Sequence, residues 1–333
     1  MRRMSGLCLL FRSVAARIFA TACITSAFNA EAADEAVYPA RPVRLIVPFA
    51  PAGSADALAR TLQPSLSEAL GQPVVIDNRP GASSTIGTEM AARAAPDGYT
   101  VFLAHTNHSI NASLYRKLSY DILGDFSPLT LVAQSAFVCV VHPSLPAKSV
   151  GHLLKIAKAR PGDLNYASAG TGSGTYFAAE YFNALGNVNM VHVAYTGGGP
   201  ALASVLSGET SVYFTPLATG LAHIRSGRLR ALGVTSAKRL PELPDVAPIA
   251  DTLRGYEVQS WAGLMVPVKT PKDVAATVYK SAVATLGKPE TMRRFEDLGF
   301  TVQTSRPEEM QSFVKTEIDK YARLIRDSGM ALQ

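Results

Sequence analysis

The chain predicts an α/β fold in two lobes. Short apolar runs rich in β-branched residues alternate with helical patterns of about 10–15 residues, as strands of a parallel sheet joined by helical crossovers do. Two further apolar runs, Leu129–His142 and Ser260–Pro267, read as crossings from one lobe to the other and back. A length of 333 residues is enough to bury two separate cores.

The rest of the chain is organised around its first unit. Val43–Val47 is a β-rich run entering the turn Pro48-Phe49-Ala50-Pro51-Ala52-Gly53. Leu58, Leu62, Leu66 and Leu70 then recur every fourth residue, one stripe of a helix. Ser54 is placed to cap that helix, because its side-chain oxygen can take a first-turn N–H, and Asp56 lies where the helix dipole favours a carboxylate. In open α/β sheets ligands sit at the carboxyl ends of strands, beside helix N-termini. The plain alternative is a βα connection with no ligand.

Pro73–Asp77 reads as the second strand, Asn78-Arg79-Pro80-Gly81 as a turn, Thr85–Ala94 as a helix and Thr100–Ala104 as the third strand. His105-Thr106-Asn107-His108 follows; with no Cys, Asp or Glu beside it, its two histidines read as loop residues rather than metal ligands. After the first crossing come a helix at Ser149–Ala159, a strand at Leu164–Ser168, a loop at Gly170–Gly174 and a helix at Thr175–Leu185. Val191–Tyr195 is again a strand, Thr196–Gly199 a loop, and Pro200–Leu206 a helix that Pro200 opens at its first position. Ser211–Phe214, Pro216–Ile224 and Arg230–Thr235 continue the alternation. Beyond the return crossing, whose Trp261 reads as core or hinge packing, the chain is helical at Pro271–Leu286, Pro289–Leu298 and Pro307–Arg326. The last of these carries the stripe Met310, Phe313, Val314, Ile318, Tyr321 and Ile325.

Residues 1–32 have the order of a secretory signal peptide: early arginines, the apolar stretch Ile18–Phe28, and small residues at Ala30-Glu31-Ala32. The approach Ala20-Thr21-Ala22 to Cys23 is poor for a lipobox, which favours simple secretion. Without this segment the chain keeps 28 basic and 25 acidic side chains, a net +3 in place of +6. So small an excess argues against a nucleic-acid partner, which requires a clustered basic face. Cys8 and Cys23 leave with the segment, so Cys139 has no intramolecular disulfide partner and reads as a buried, inert thiol. Export without disulfides points to a bacterial periplasm.

Three loops are suited to a ligand: Pro51-Ala52-Gly53-Ser54, Gly170-Thr171-Gly172-Ser173-Gly174 and Thr196-Gly197-Gly198-Gly199. Each follows a predicted strand and precedes a predicted helix, where glycine admits close approach and the helix offers unpaired N–H groups. None contains Lys or Arg, so an anion there is held by amides and hydroxyls. The second loop is neither a P-loop, since no Lys follows its glycines, nor a dinucleotide fingerprint, since Thr175 stands in the third glycine's place. No stretch matches a nucleophile elbow, and His142, His152, His192 and His223 are scattered with no triad or metal pattern. No cofactor, metal or catalytic residue is expected.

Pro48–Asp56, Asn78–Ala82, Tyr166–Ser173, Tyr195–Ala201 and Gly227–Leu232 resemble, in order and over nearly the whole mature chain, the Bug/TctC family of extracytoplasmic receptors of tripartite tricarboxylate transporters. The resemblance implies a two-lobed, type II, flytrap-like periplasmic binding protein with two parallel or mixed sheets, flanking helices and two hinge crossings. It also implies a small carboxylate held by main-chain amides of these loops and by bridging water. The chain departs from the family at Pro51-Ala52-Gly53 (usually Pro-Gly-Gly), Thr196 (commonly Lys), Tyr176 (often His) and near Thr215 (frequently Asn); the lost Lys and His remove donors to a second acidic group.

The resulting expectation is a periplasmic receptor, monomeric, capturing a small organic anion for membrane permease subunits. Lobe 1 is residues 33–135 with 260–333 and lobe 2 is residues 136–259. The ligand-binding residues expected are Ala52, Gly53, Ser54 and Asp56 from lobe 1 and Thr171, Gly172, Ser173, Thr196, Gly197 and Gly198 from lobe 2. His105, Thr106 and Thr215 are added at strand ends. The alternatives are a secreted hydrolase or transferase, which needs a nucleophile and base in one pocket, and a ligand sensor without a transporter.

Overall fold

The computed structural model describes residues 38–327 and 329–333, and its compact body is Arg41–Gln333. The signal peptide expected at residues 1–32 lies outside the described residues.

β1 (Val43–Val47) lies between β2 (Val74–Asn78) and β3 (Thr100–His105), all parallel. β9 (Gln259–Pro267) runs antiparallel to β3 and to β4 (Phe126–Val141). The sixteen residues of β4 extend about 50 Å at the usual rise of a strand, long enough to serve two cores. Its first half pairs with β9 and with β10 (Thr301–Val302), its second half with β7 (Val212–Pro216) and β8 (Arg230–Val234). β5 (Asn165–Ser168) is parallel to β7 and to β6 (Val191–Ala194). The sheet is therefore mixed: the βα units are parallel, and the two crossings run against their neighbours.

The apolar run at β4 is nearly continuous because both faces of its second half are covered. Phe137, Cys139 and Val141 enter one core with Tyr166, Phe177 and Phe214; Val138 and Val140, on the opposite face, enter another with Val205 and Leu221. Cys139 is fully buried, and burial pushes its thiol pKa far up, as an inert thiol requires. Around the first half, Phe102, Phe126, Leu131, Met265, Met310 and Val314 form a separate core. Trp261 belongs to it, edge-on to Phe313 at 5.6 Å.

The helices are α1 (Ser54–Leu70), α2 (Thr85–Ala92), α3 (Thr106–Leu114), α4 (Val150–Ala159), α5 (Gly174–Gly186), α6 (Gly198–Ser207), α7 (Leu217–Arg225), α8 (Lys272–Leu286), α9 (Pro289–Asp297) and α10 (Pro307–Asp327). The leucine stripe of α1 is buried throughout. Four expectations need correction. His105–His108 is not a loop: β3 runs directly into α3, and both histidines are buried. The strand β10 was not foreseen, because two residues show no periodicity. Pro200 is the third residue of α6, not the first, since the helix already begins at Gly198. Ser54 does not cap α1; Gly53 is the N-cap residue, without a side-chain bond.

Asp56 holds the turn before α1. Its Oδ2 accepts from the Ala52 amide (3.0 Å) and Arg60 Nε (2.8 Å), and its Oδ1 accepts from Asn78 Nδ2 (3.1 Å), which also donates to the Phe49 carbonyl. Ala52 is thereby kept at φ +63°, a conformation unusual for a residue with a Cβ. Burial raises the Asp56 pKa, but the bonds from Arg60, Ala52 and Asn78 outweigh it and hold the carboxyl below its ordinary value. Its stabilising contribution is complete above about pH 4, the ordinary Asp value, and is lost as pH falls through the lower folded pKa. Urea unfolding across that range is expected to show a shallower acid loss in Asp56→Asn than in the parent chain; identical slopes would remove Asp56 from this role.

Candidate functional site

A cavity of about 570 Å³ opens at the carboxyl ends of β1, β3, β5, β6 and β7. All three glycine loops reach it. Gly53 and Ser54 contribute from the first, Gly170, Ser173 and Gly174 from the second, and Thr196, Gly197, Gly198 and Gly199 from the third. Helices α1, α5 and α6 thus point their N-termini into one space. Among the described residues, the amides of Ser54 and Ala55 in α1, of Thr175 in α5 and of Gly198 and Gly199 in α6 have no acceptor. Such a set of free first-turn N–H groups attracts an anion. Among the described residues no Lys, Arg, Asp or Glu lines the cavity.

Seven of the thirteen expected residues line the cavity: Gly53, Ser54, His105, Ser173, Thr196, Gly197 and Gly198. Six do not. Ala52 is turned toward Asp56, which lies behind the turn. Thr106 joins β3 to β9, its Oγ1 accepting from the Trp261 amide at 2.6 Å. The carbonyl of Thr171 accepts from the Ser83 hydroxyl and from Tyr115 OH (3.4 Å) across the gap between the lobes. Gly172 packs against Asn111 and Tyr115, beside and beyond α3. Thr215 is fully buried, its hydroxyl 3.3 Å from that of Thr219, which does line the cavity.

Residues that the sequence reading missed complete the wall. Phe49 and Phe137 supply aromatic surface, and Ser83, Ser84, Asn107, Thr175 and Tyr213 supply polar groups. Ala82, Ser83 and Ser84 all have positive φ without being glycine, the kind of strain that gathers at binding sites. A signal for them exists: Pro80-Gly81-Ala82-Ser83-Ser84 is a fourth small-residue turn between a strand and a helix. Asn107 Oδ1 accepts from the Gly174 amide at 3.1 Å, so α3 touches the second glycine loop directly.

His105 and His108 brace this wall. His105 Nε2 is 3.0 Å from Ser260 Oγ on β9, the His105 amide donates to His108 Nδ1 (2.8 Å), and His108 Nε2 is 3.0 Å from Thr88 Oγ1. Burial lowers the His105 pKa to about 4. Burial and the neighbouring His105 lower that of His108 to about 3. Both are neutral near pH 7. Among the described residues no group of three or more His, Cys, Asp or Glu is placed to hold a metal ion, and no helix is long and apolar enough to cross a membrane.

A mixed α/β body in two lobes, with helix N-termini converging on one crevice, is the architecture of a solute-binding receptor. Residues 58–330 match the tripartite tricarboxylate transporter family receptors, and the chain belongs to that family. It is similar to the protein BugT of Bordetella pertussis, 33% identical over 94% of this chain and 96% of that one. Its fold superposes on the periplasmic binding protein BugD with a TM-score of 0.86 at 33% identity, covering 89% of this chain and all of the other. It also superposes on R. palustris Rpa4515 with adipate, with a TM-score of 0.85 at 32% identity, covering 88% of this chain and 99% of that one. The family is one of receptors, and BugD is a periplasmic binding protein.

Proposed function

We propose that the chain is a periplasmic receptor that closes over a small organic carboxylate and presents it to the permease subunits of a tripartite tricarboxylate transporter. One observation carries this above the rest: three glycine turns ahead of helices share one crevice whose wall holds no cationic side chain. A carboxylate there exchanges water for amides that otherwise lack an acceptor, within a positive helix-end field. The adipate held by Rpa4515 supports the same ligand chemistry. Residues 33–135 with 260–333 act as one rigid lobe and 136–259 as the other, hinged at β4 and β9. The bonds from Ser83, Asn107 and Tyr115 to the second glycine loop latch the closed form. The receptor works as a monomer.

Binding to the folded state alone raises stability, by about 2.7 kcal/mol at a ligand concentration of 100 Kd. A panel of small mono- and dicarboxylates is therefore expected to contain acids that raise the melting temperature of the chain. A panel that never shifts it counts against the proposal. Copurification of permease subunits tests the transporter partnership separately.

A further inference from the structure

Between β2 and α2 the chain makes a turn of a kind that L residues avoid. Ala82, Ser83 and Ser84 follow one another with φ of +43°, +53° and +79°. None is glycine, the residue that enters the left-handed region without steric cost. The helix that follows does not require this form. Thr85 Oγ1 donates to the Ala82 carbonyl and Thr88 Oγ1 to that of Ser84 (2.7 Å), bonds that reach three and four residues back as they do in a right-handed helix.

The long-range bonds of the turn converge where the lobes meet. The Ser83 hydroxyl donates to the Thr171 carbonyl across the gap, and the Ser83 carbonyl accepts from Asn111 Nδ2 at 2.9 Å. Asn111 is itself fitted to the second glycine loop: its Oδ1 has no hydrogen bond and lies where a Cβ on Gly172 would come within 2.4 Å. Separating the lobes takes Thr171 away from Ser83 and opens Asn111 Oδ1 to water. All three turn residues line the crevice, so the turn touches both the ligand space and the far lobe. Strain of this kind persists only where the surroundings over-determine it, and one of the two long-range bonds that do so exists only while the lobes are closed. We propose that Ala82–Ser84 is a closure spring: it is driven left-handed as the lobes shut and relaxes as they part, so its strain lowers ligand affinity and speeds release. The inference rests on the closing-receptor reading and adds what sets the strength and lifetime of the complex.

Isothermal titration of the mature chain with succinate, adipate and benzoate supplies the probe, the tightest of the three. Ala82→Gly is expected to bind it about tenfold tighter and to release it about tenfold more slowly in stopped flow. Tenfold is the factor that 1.4 kcal/mol represents, within what one left-handed L residue loses. Deleting a wall methyl by itself removes contacts and weakens binding, so the direction of the change separates strain from packing. Ala82→Val, β-branched and harder to hold at positive φ, is expected to bind about tenfold more weakly. Parental or weaker affinity in Ala82→Gly overturns the inference and leaves the receptor reading standing. So does a gain confined to the melting temperature of the unliganded chain, which puts the strain in both forms. Should Ala82→Gly fail to fold, Ala82→Asn, whose side chain tolerates the left-handed region, is read in the same way. If none of the three acids binds the parent chain, the receptor reading fails and this inference with it.

Discussion

Gly172→Val is expected to weaken carboxylate binding by about 100-fold, equivalent to about 2.7 kcal/mol, in a chain that still folds. The glycine has φ +81°, and a Cβ there would stand 2.4 Å from Asn111 Oδ1 and 3.1 Å from the Tyr115 ring. The left-handed strain of a β-branched residue acts whether the lobes are open or closed. The overlap differs: it arises only where the second glycine loop meets α3, and separating the lobes relieves it. Ligand binding must then oppose that cost, and apparent affinity falls with the population of the closed form. Titration calorimetry beside a thermal melt separates the two effects. Gly172→Ala, with a smaller overlap, is expected to fall between the variant and the parent. Parental affinity in Gly172→Val would dissociate this contact from binding.

The second large effect is loss of stability in mild acid. An unfolded histidine titrates near pH 6.5, whereas burial sets His105 at about 4 and His108 at about 3. Between those values the unfolded chain binds more protons than the folded one. Stability is therefore complete above about pH 6.5 and falls as pH decreases toward the folded values, by up to about 1.4 kcal/mol per pH unit for each histidine. Urea unfolding at a series of pH values from about 7 to 4 measures this slope. His108→Gln is less stable near pH 7, because the bonds to Thr88 and the His105 amide are lost, but its slope is shallower. A variant with the parental slope would exclude His108 as a source of the acid sensitivity.

Most elements were legible because their periodicity is local. The leucines of α1 recur every fourth residue and are all buried; the apolar run at β4 is nearly continuous because packed cores cover both faces of its second half. The ends of helices were less legible. At Ser54 and Pro200 a favourable cap or opening residue is present, yet Gly53 already caps α1 and Gly198 already starts α6. α3 was missed because Thr106-Asn107-His108-Ser109 is a polar start that reads as a loop, and only the surrounding core buries it.

For the site, the amino-acid sequence by itself determined that glycine turns precede helices and that no cation stands among them, since both follow from residue type and short spacing. It could not tell which turn residues face the crevice. Tertiary packing turned Thr171 toward Ser83 and Tyr115, Gly172 toward α3 and Thr106 toward β9, and brought Ser84 and Tyr213, more than a hundred residues apart, onto one wall. The reason is physical: backbone propensity acts over a few residues, whereas the side of a loop that meets the ligand is decided by which distant element packs against its other side.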